Sequence, residues 1–127
     1  MTAPDTPPRY QGACHCGAVR FELAAELHPA IRCNCSLCRR KGAAMSAVFP
    51  KNQLSILAGE DNLSLYQFNT RVARHFFCKT CGIYPFHQTR KDPALWRVNL
   101  GCLDGMDVFA LEVGRSDGAS LSVVDDA

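Results

Sequence analysis

The sequence predicts a small, mainly β domain of short antiparallel strands with zinc knuckles, and three observations carry that prediction. Short runs of alternating apolar and polar residues have the period of a half-buried strand, and turn signals interrupt them about every ten residues. No stretch sustains a long helical period. Eight cysteines stand in 127 residues, and seven fall into tight Cys-x-Cys and Cys-x-x-Cys groups. In a reducing compartment that usage points to metal and not to a disulfide framework.

The elements follow in order. Residues 1–8 contain three prolines and read as a frayed arm. The division expected is an arm over 1–9, one domain over 10–114, and a small, polar, loose tail over 115–127. Residues 10–14 open the first strand. After the tight Cys16-Gly17 turn, residues 18–24 set Val19, Phe21 and Leu23 against Arg20 and Glu22, so one face of this strand is buried. His28-Pro29 breaks the pattern. Residues 31–33 form a short strand that runs into a three-cysteine loop, Gly42 closes the loop, and 44–49 resume an extended run up to Pro50.

Residues 54–57 and 63–68 are two further strands around the turn Gly59-Glu60-Asp61-Asn62. Residues 72–77 enter a second knuckle, Cys78-Lys79-Thr80-Cys81-Gly82, and 83–87 leave it. Residues 95–100 alternate Trp96, Val98 and Leu100 against Arg97 and Asn99. Over 108–113 a strand and a short helix fit equally well.

Charge narrows the partners. Fourteen basic against twelve acidic residues give a net +2, too even for nucleic acid or an anionic membrane. No apolar run approaches the roughly 18 residues of a membrane span. The first nine residues lack the apolar centre of a secretory signal. The expectation is a cytoplasmic protein with neither a membrane nor a nucleic-acid partner.

Cys33, Cys35 and Cys38 lie within six residues and are followed at once by Arg39 and Arg40. Neutral thiols gain little from such crowding, whereas Zn²⁺ takes four ligands at about 2.3 Å from sulfur. Three thiolates fill three corners and leave the fourth open, the arrangement of a working zinc. Such a centre carries a net charge of about −1, so it activates water poorly but holds a fourth thiol as thiolate for attack on an electrophile. Arg32, Arg39, Arg40 and Lys41 surround the loop. They are read either as an ordinary basic edge or as groups that offset thiolate charge and hold an anionic peptide's carboxylates. Arg39, next to a ligand, is a candidate donor to a thiolate.

Cys14/Cys16 and Cys78/Cys81, each pair followed by a glycine, together complete a closed, structural four-cysteine zinc. Other groupings of seven cysteines also satisfy the count. Cys102 reads as a small buried hydrophobe, and His15 as turned away from its neighbours' metal. His87 is a better candidate general base than His75, with a structural role the simpler reading of both.

The segments Gly12-Ala-Cys-His-Cys-Gly-Ala-Val-Arg-Phe21, Cys33-Asn-Cys-Ser-Leu-Cys-Arg-Arg-Lys-Gly42 and Phe77-Cys-Lys-Thr-Cys-Gly82 resemble the signature of the glutathione-dependent formaldehyde-activating enzyme family, whose domain is shared with centromere protein V. Val98-Asn-Leu-Gly-Cys-Leu-Asp104 resembles that family's final strand. The resemblance implies a β-tent (Mss4-like) fold. It also implies two zinc ions, one structural on Cys14, Cys16, Cys78 and Cys81 and one catalytic on Cys33, Cys35 and Cys38. The implied reaction is that of a carbon–sulfur lyase or synthase, adding glutathione to formaldehyde to give S-hydroxymethylglutathione. From the charge around the loop, Arg39 and Arg40 are the residues expected to contact the thiol cosubstrate. The rival expectations are a non-catalytic zinc-binding interaction module and a redox sensor that releases zinc on thiol oxidation.

Overall fold

The computed structural model describes residues 7–68 and 70–116. Strands β1 (Arg9–Ala13) and β2 (Arg20–Ala24) form an antiparallel hairpin, and β5 (Leu54–Ala58) pairs with the other edge of β2. A second sheet runs in the order β4 (Phe49–Pro50), β9 (Leu95–Val98), β8 (Phe86–Gln88), β7 (Arg74–Cys78), β6 (Leu63–Tyr66), antiparallel throughout. Strand β3 (Ala30–Cys33) pairs in parallel with β10 (Val113–Ser116). The mainly β, antiparallel architecture is the one the alternating pattern predicts.

The core lies where the first two sheets meet. Phe21 and Leu23 of β2 are buried with Phe86, Trp96 and Val98 of the larger sheet. Phe21 meets Phe86 edge to face with centroids 5.5 Å apart, a geometry that adds about 0.5–1.5 kcal/mol to the burial itself.

Side chains alternate across a strand, so the opposite face of the larger sheet carries a different row. His75, His87 and Arg97 are consecutive cross-strand partners on β7, β8 and β9. This polar row is the floor of the candidate site.

Five local expectations are corrected. The three-cysteine stretch contains a short helix, α1 (Ser36–Lys41), where a loop was expected. Cys35 caps it by accepting from the Cys38 N–H, and Gly42 ends it at φ +70°. Six residues are too few to print a helical period, so the helix rests on these two caps. Residues 44–48 are not a strand; Met45 alone bridges Ile31 and Asn99, which ties the β3 end to β9. The knuckle's exit becomes strand only at Phe86. Beyond β9 the chain leaves strand geometry for the 3-10 turn Leu100–Cys102, and Val108–Ala110 is a second such turn. Arg115 and Ser116, expected at the start of the tail, stand opposite Arg32 and Cys33 in β10.

Candidate functional site

Two thiol clusters form. The Sγ atoms of Cys14, Cys16, Cys78 and Cys81 lie within 4.8 Å of one another, as do those of Cys33, Cys35 and Cys38. The structure thus selects the grouping that spacing alone left open. All eight cysteines are unbridged.

The first cluster joins two knuckles of matching design. In each, the first cysteine's carbonyl accepts from the glycine N–H, Gly17 at 3.2 Å and Gly82 at 2.9 Å. Both glycines hold φ near +80°, which disfavours any residue with a Cβ. A tetrahedral zinc with 2.3 Å bonds to sulfur requires S···S edges of about 3.8 Å. Cys14 to Cys16 measures 3.6 Å and Cys16 to Cys78 measures 3.7 Å. Sulfur also accepts hydrogen bonds here, from Val19 N–H to Cys14 and from Thr80 N–H and Asn62 Nδ2 to Cys78. The backbone N–H groups of Cys81 and Thr80 bring the Cys78 thiol down to about 6. Donors of this kind favour thiolate at Cys78, and the S···S spacing suits a cation.

The second cluster sits at the end of β3 and the start of α1, where Cys35 and Cys38 are buried and Cys33 is half-buried. Without a cation the Cys33 and Cys35 sulfurs, with burial, hold the Cys38 thiol far above its usual range. Crowded thiols out of water do not ionise together, and a divalent ion removes that obstacle. The donor set fits zinc, and Cys33, Cys35 and Cys38 are the residues that would hold it.

Two cations face this cluster. Lys41 turns inward from the end of α1, with Nζ 3.7 Å from the Tyr84 ring centroid and 3.9 Å from Met45 Sδ. Burial lowers its pKa, while Cys38, Cys35 and Cys33 oppose that shift. Arg97 donates to the Ser46 carbonyl at 2.7 Å and feels Cys33 and Cys38 in the same way. Arg39 and Arg40 instead stand exposed, and Arg40 donates to its own helix at Ser36. Of the basic residues on α1, the one turned onto the thiols is therefore Lys41.

Beside Lys41 a cavity of about 390 Å³ is lined by Leu37, Tyr66, Phe77, Ile83, Tyr84 and His75. The Tyr84 hydroxyl and His75 Nδ1 are 2.5 Å apart. Burial raises the Tyr84 pKa well above its usual value. His87 is buried, its Nδ1 has no hydrogen-bond partner among the described residues, and burial with the nearby Lys41 pushes its pKa well below normal. His15 is exposed, and Cys102 is buried apart from both clusters with its Sγ 4.0 Å from the Tyr84 carbonyl.

Tyr84 and Arg97 are functional candidates that sequence reasoning missed. Arg97 had a signal, since polar residues alternating with Trp96 and Val98 must line a second face, but which face carries the chemistry depends on the fold.

With this geometry in view, residues 9–113 match the family described as glutathione-dependent formaldehyde-activating enzyme. The chain belongs to that family. A Halomonas elongata protein, provisionally named for the same activity, is 34% identical over 80 residues, 56% of this chain and 50% of that protein. A Fusarium vanettenii protein with the same provisional name is 30% identical over 62% of this chain and 44% of its own. A Schizosaccharomyces pombe protein named as an uncharacterized lyase is 27% identical over 68% of this chain and 64% of its own. The matches thus span about half to two thirds of these relatives' lengths. A crystal structure of a Rhodobacter sphaeroides protein superposes with a TM-score of 0.78 at 45% identity, covering 84% of this chain and 99% of that one. Members of the glutathione-dependent formaldehyde-activating family thus share a chain segment that here holds both thiol clusters. No helix among the described residues is long and apolar enough to cross a membrane.

Proposed function

We propose that this chain is a zinc-dependent carbon–sulfur lyase of the S-hydroxymethylglutathione synthase type. It joins the thiol of glutathione, or of a similar small thiol, to formaldehyde or another small aldehyde in the reducing cytoplasm. Family membership supports the substrates. The observation that carries the reaction is the Cys33, Cys35, Cys38 cluster, which offers three sulfurs and no fourth protein ligand among the described residues. Zinc on Cys14, Cys16, Cys78 and Cys81 is structural, and zinc on the triplet is the working ion. What the working ion supplies is a site where an incoming sulfur stays deprotonated at neutral pH.

The chain's own residues do the rest. One S–H bond and one C=O π bond are lost, one S–C bond forms, and the proton ends on the former carbonyl oxygen. The Lys41 ammonium and the Tyr84 hydroxyl line one cavity and act as hydrogen-bond donors to that oxygen. Tyr84, tied to His75, holds the proton to be delivered. The walls from Leu37, Phe77 and Ile83 keep bulk water from competing. Arg39 and Arg40, exposed on α1, draw an anionic thiol toward the cluster.

The test is zinc per chain before and after mild chelation, with and without glutathione, beside S-hydroxymethylglutathione formation corrected for the spontaneous reaction. Two zincs, one labile and protected by glutathione, with a rate above the spontaneous one, support the reading. A single zinc that resists chelation and ignores glutathione refutes it.

A further inference from the structure

The thiol cluster has a second neighbour, which shares no lining residue with the Tyr84 cavity. A groove of about 980 Å³ runs between β3 and the segment leading into β10, lined by Arg32, Cys33, Val108, Phe109, Leu111 and Arg115. Its volume lies in the range that encloses a ligand of peptide or drug size. Cys33, the half-buried member of the triplet, is part of its wall, so the groove is a route from solvent to the metal-binding sulfurs.

Two features of the groove have no purpose in folding. Arg32 and Arg115 are direct partners in the parallel ladder, and like charges set opposite one another destabilise a strand pair. Among the described residues the ion pair is Arg9 with Glu22, and no carboxylate of those residues pairs with these guanidinia. Arg32 spends a donor on the Gly42 carbonyl, which leaves most of its fork for a ligand. Phe109, meanwhile, is 95% exposed at the rim. A large aromatic side chain gains by burial, and here none of the described residues covers it.

We propose that this groove seats the body of the thiol cosubstrate. Arg32 and Arg115 take a carboxylate of an anionic peptide thiol, Val108, Phe109 and Leu111 pack on its aliphatic part, and its sulfur reaches the cluster past Cys33. The inference rests on the proposed reaction only for the identity of the sulfur's destination. An anionic ligand between the guanidinia replaces their repulsion with two charge-assisted contacts, and the fork of arginine is shaped for a carboxylate.

S-methylglutathione separates the groove from the chemistry, because it keeps both carboxylates and has no thiol to give a metal. Its binding to the zinc-loaded protein, followed by amide chemical shifts, is expected to perturb residues of β3, β10 and the 108–111 turn. Arg115→Ala is expected to weaken it at least tenfold and Arg115→Lys by less, with Phe109→Ala several-fold. In turnover, Arg115→Ala raises KM for glutathione at least tenfold and leaves KM for uncharged 2-mercaptoethanol unchanged. Absence of S-methylglutathione binding, or binding unmoved by Arg115→Ala in a folded protein, overturns the groove. Failure to turn over either thiol overturns the proposed reaction and leaves the binding result standing.

Discussion

Lys41→Met is the perturbation that most directly tests how the three-cysteine cluster is balanced. Methionine keeps an unbranched stem and removes the ammonium. In the folded chain that ammonium stands 3.7 Å from the Tyr84 ring centroid and 3.9 Å from Met45 Sδ, and it feels the charge of Cys38, Cys35 and Cys33. With zinc bound, three thiolates leave a net charge of about −1. Opposite unit charges about 4 Å apart attract by about 4 kcal/mol at the effective dielectric near a protein surface. Part of that is offset by keeping the ammonium out of water. A charge-assisted hydrogen bond typically retains about 1.5–3 kcal/mol, or about 10–100-fold in metal affinity, the usual effect of a group contacting a ligand. The metal-free fold should respond differently, since the variant sheds a half-buried charge and keeps its packing. Its stability is expected to stay within about 1 kcal/mol of the parent. A two-site competition titration against a chromophoric chelator reads both metal affinities in one experiment. The expected result is a looser three-cysteine site and an unchanged four-cysteine site. A three-cysteine site within twofold of wild type in folded Lys41→Met refutes the reasoning. So does a larger loss in Arg39→Met, which would return the balancing role to the residue beside Cys38.

Two further outcomes follow from the same geometry. Cys78→Ser breaks the cluster joining the β1–β2 turn to the end of β7. A structural zinc contributes about 10–16 kcal/mol in small domains, against a total stability of about 5–15 kcal/mol. The variant is therefore expected to lose its cooperative melting transition while Cys35→Ser keeps it, and a native-like melt of Cys78→Ser would contradict this. His87 sets a pH dependence. Its folded pKa lies well below 6.5, so below pH 6.5 the unfolded chain binds a proton the folded chain refuses. Stability from this group is complete above 6.5 and falls with pH by up to about 1.4 kcal/mol per unit. Urea denaturation at pH 7.5 and 5.5 should show a gap narrower by about 1 kcal/mol in His87→Phe, and equal gaps in both proteins would exclude His87 as the source.

Much of this protein is written in local patterns. The alternation of Val19, Phe21 and Leu23 places one buried face on β2, and their burial follows it. Cys-x-Cys and Cys-x-x-Cys, each with its glycine, encode the knuckles because bite geometry and positive φ are properties of a few consecutive residues. The family, too, is legible there, because its signature lies in those same short segments. α1 was not, since a six-residue helix held by Cys35 and Gly42 has no period to read.

What tertiary structure decided is which groups meet across distance. Four basic residues flanking the three cysteines in sequence, Arg32 and Arg39 to Lys41, look alike, yet one faces the thiols, two face water and one pairs with Arg115. His87 and Arg97 come within electrostatic range of Cys33 because β8 and β9 lie side by side, and Tyr84 comes within range of Cys38 from the segment between β7 and β8. Sulfur spacing within each short motif is set by bonds between near neighbours and is therefore sequence-local. The charge and burial around those sulfurs come from strands dozens of residues apart, and only the packed sheet brings them into range.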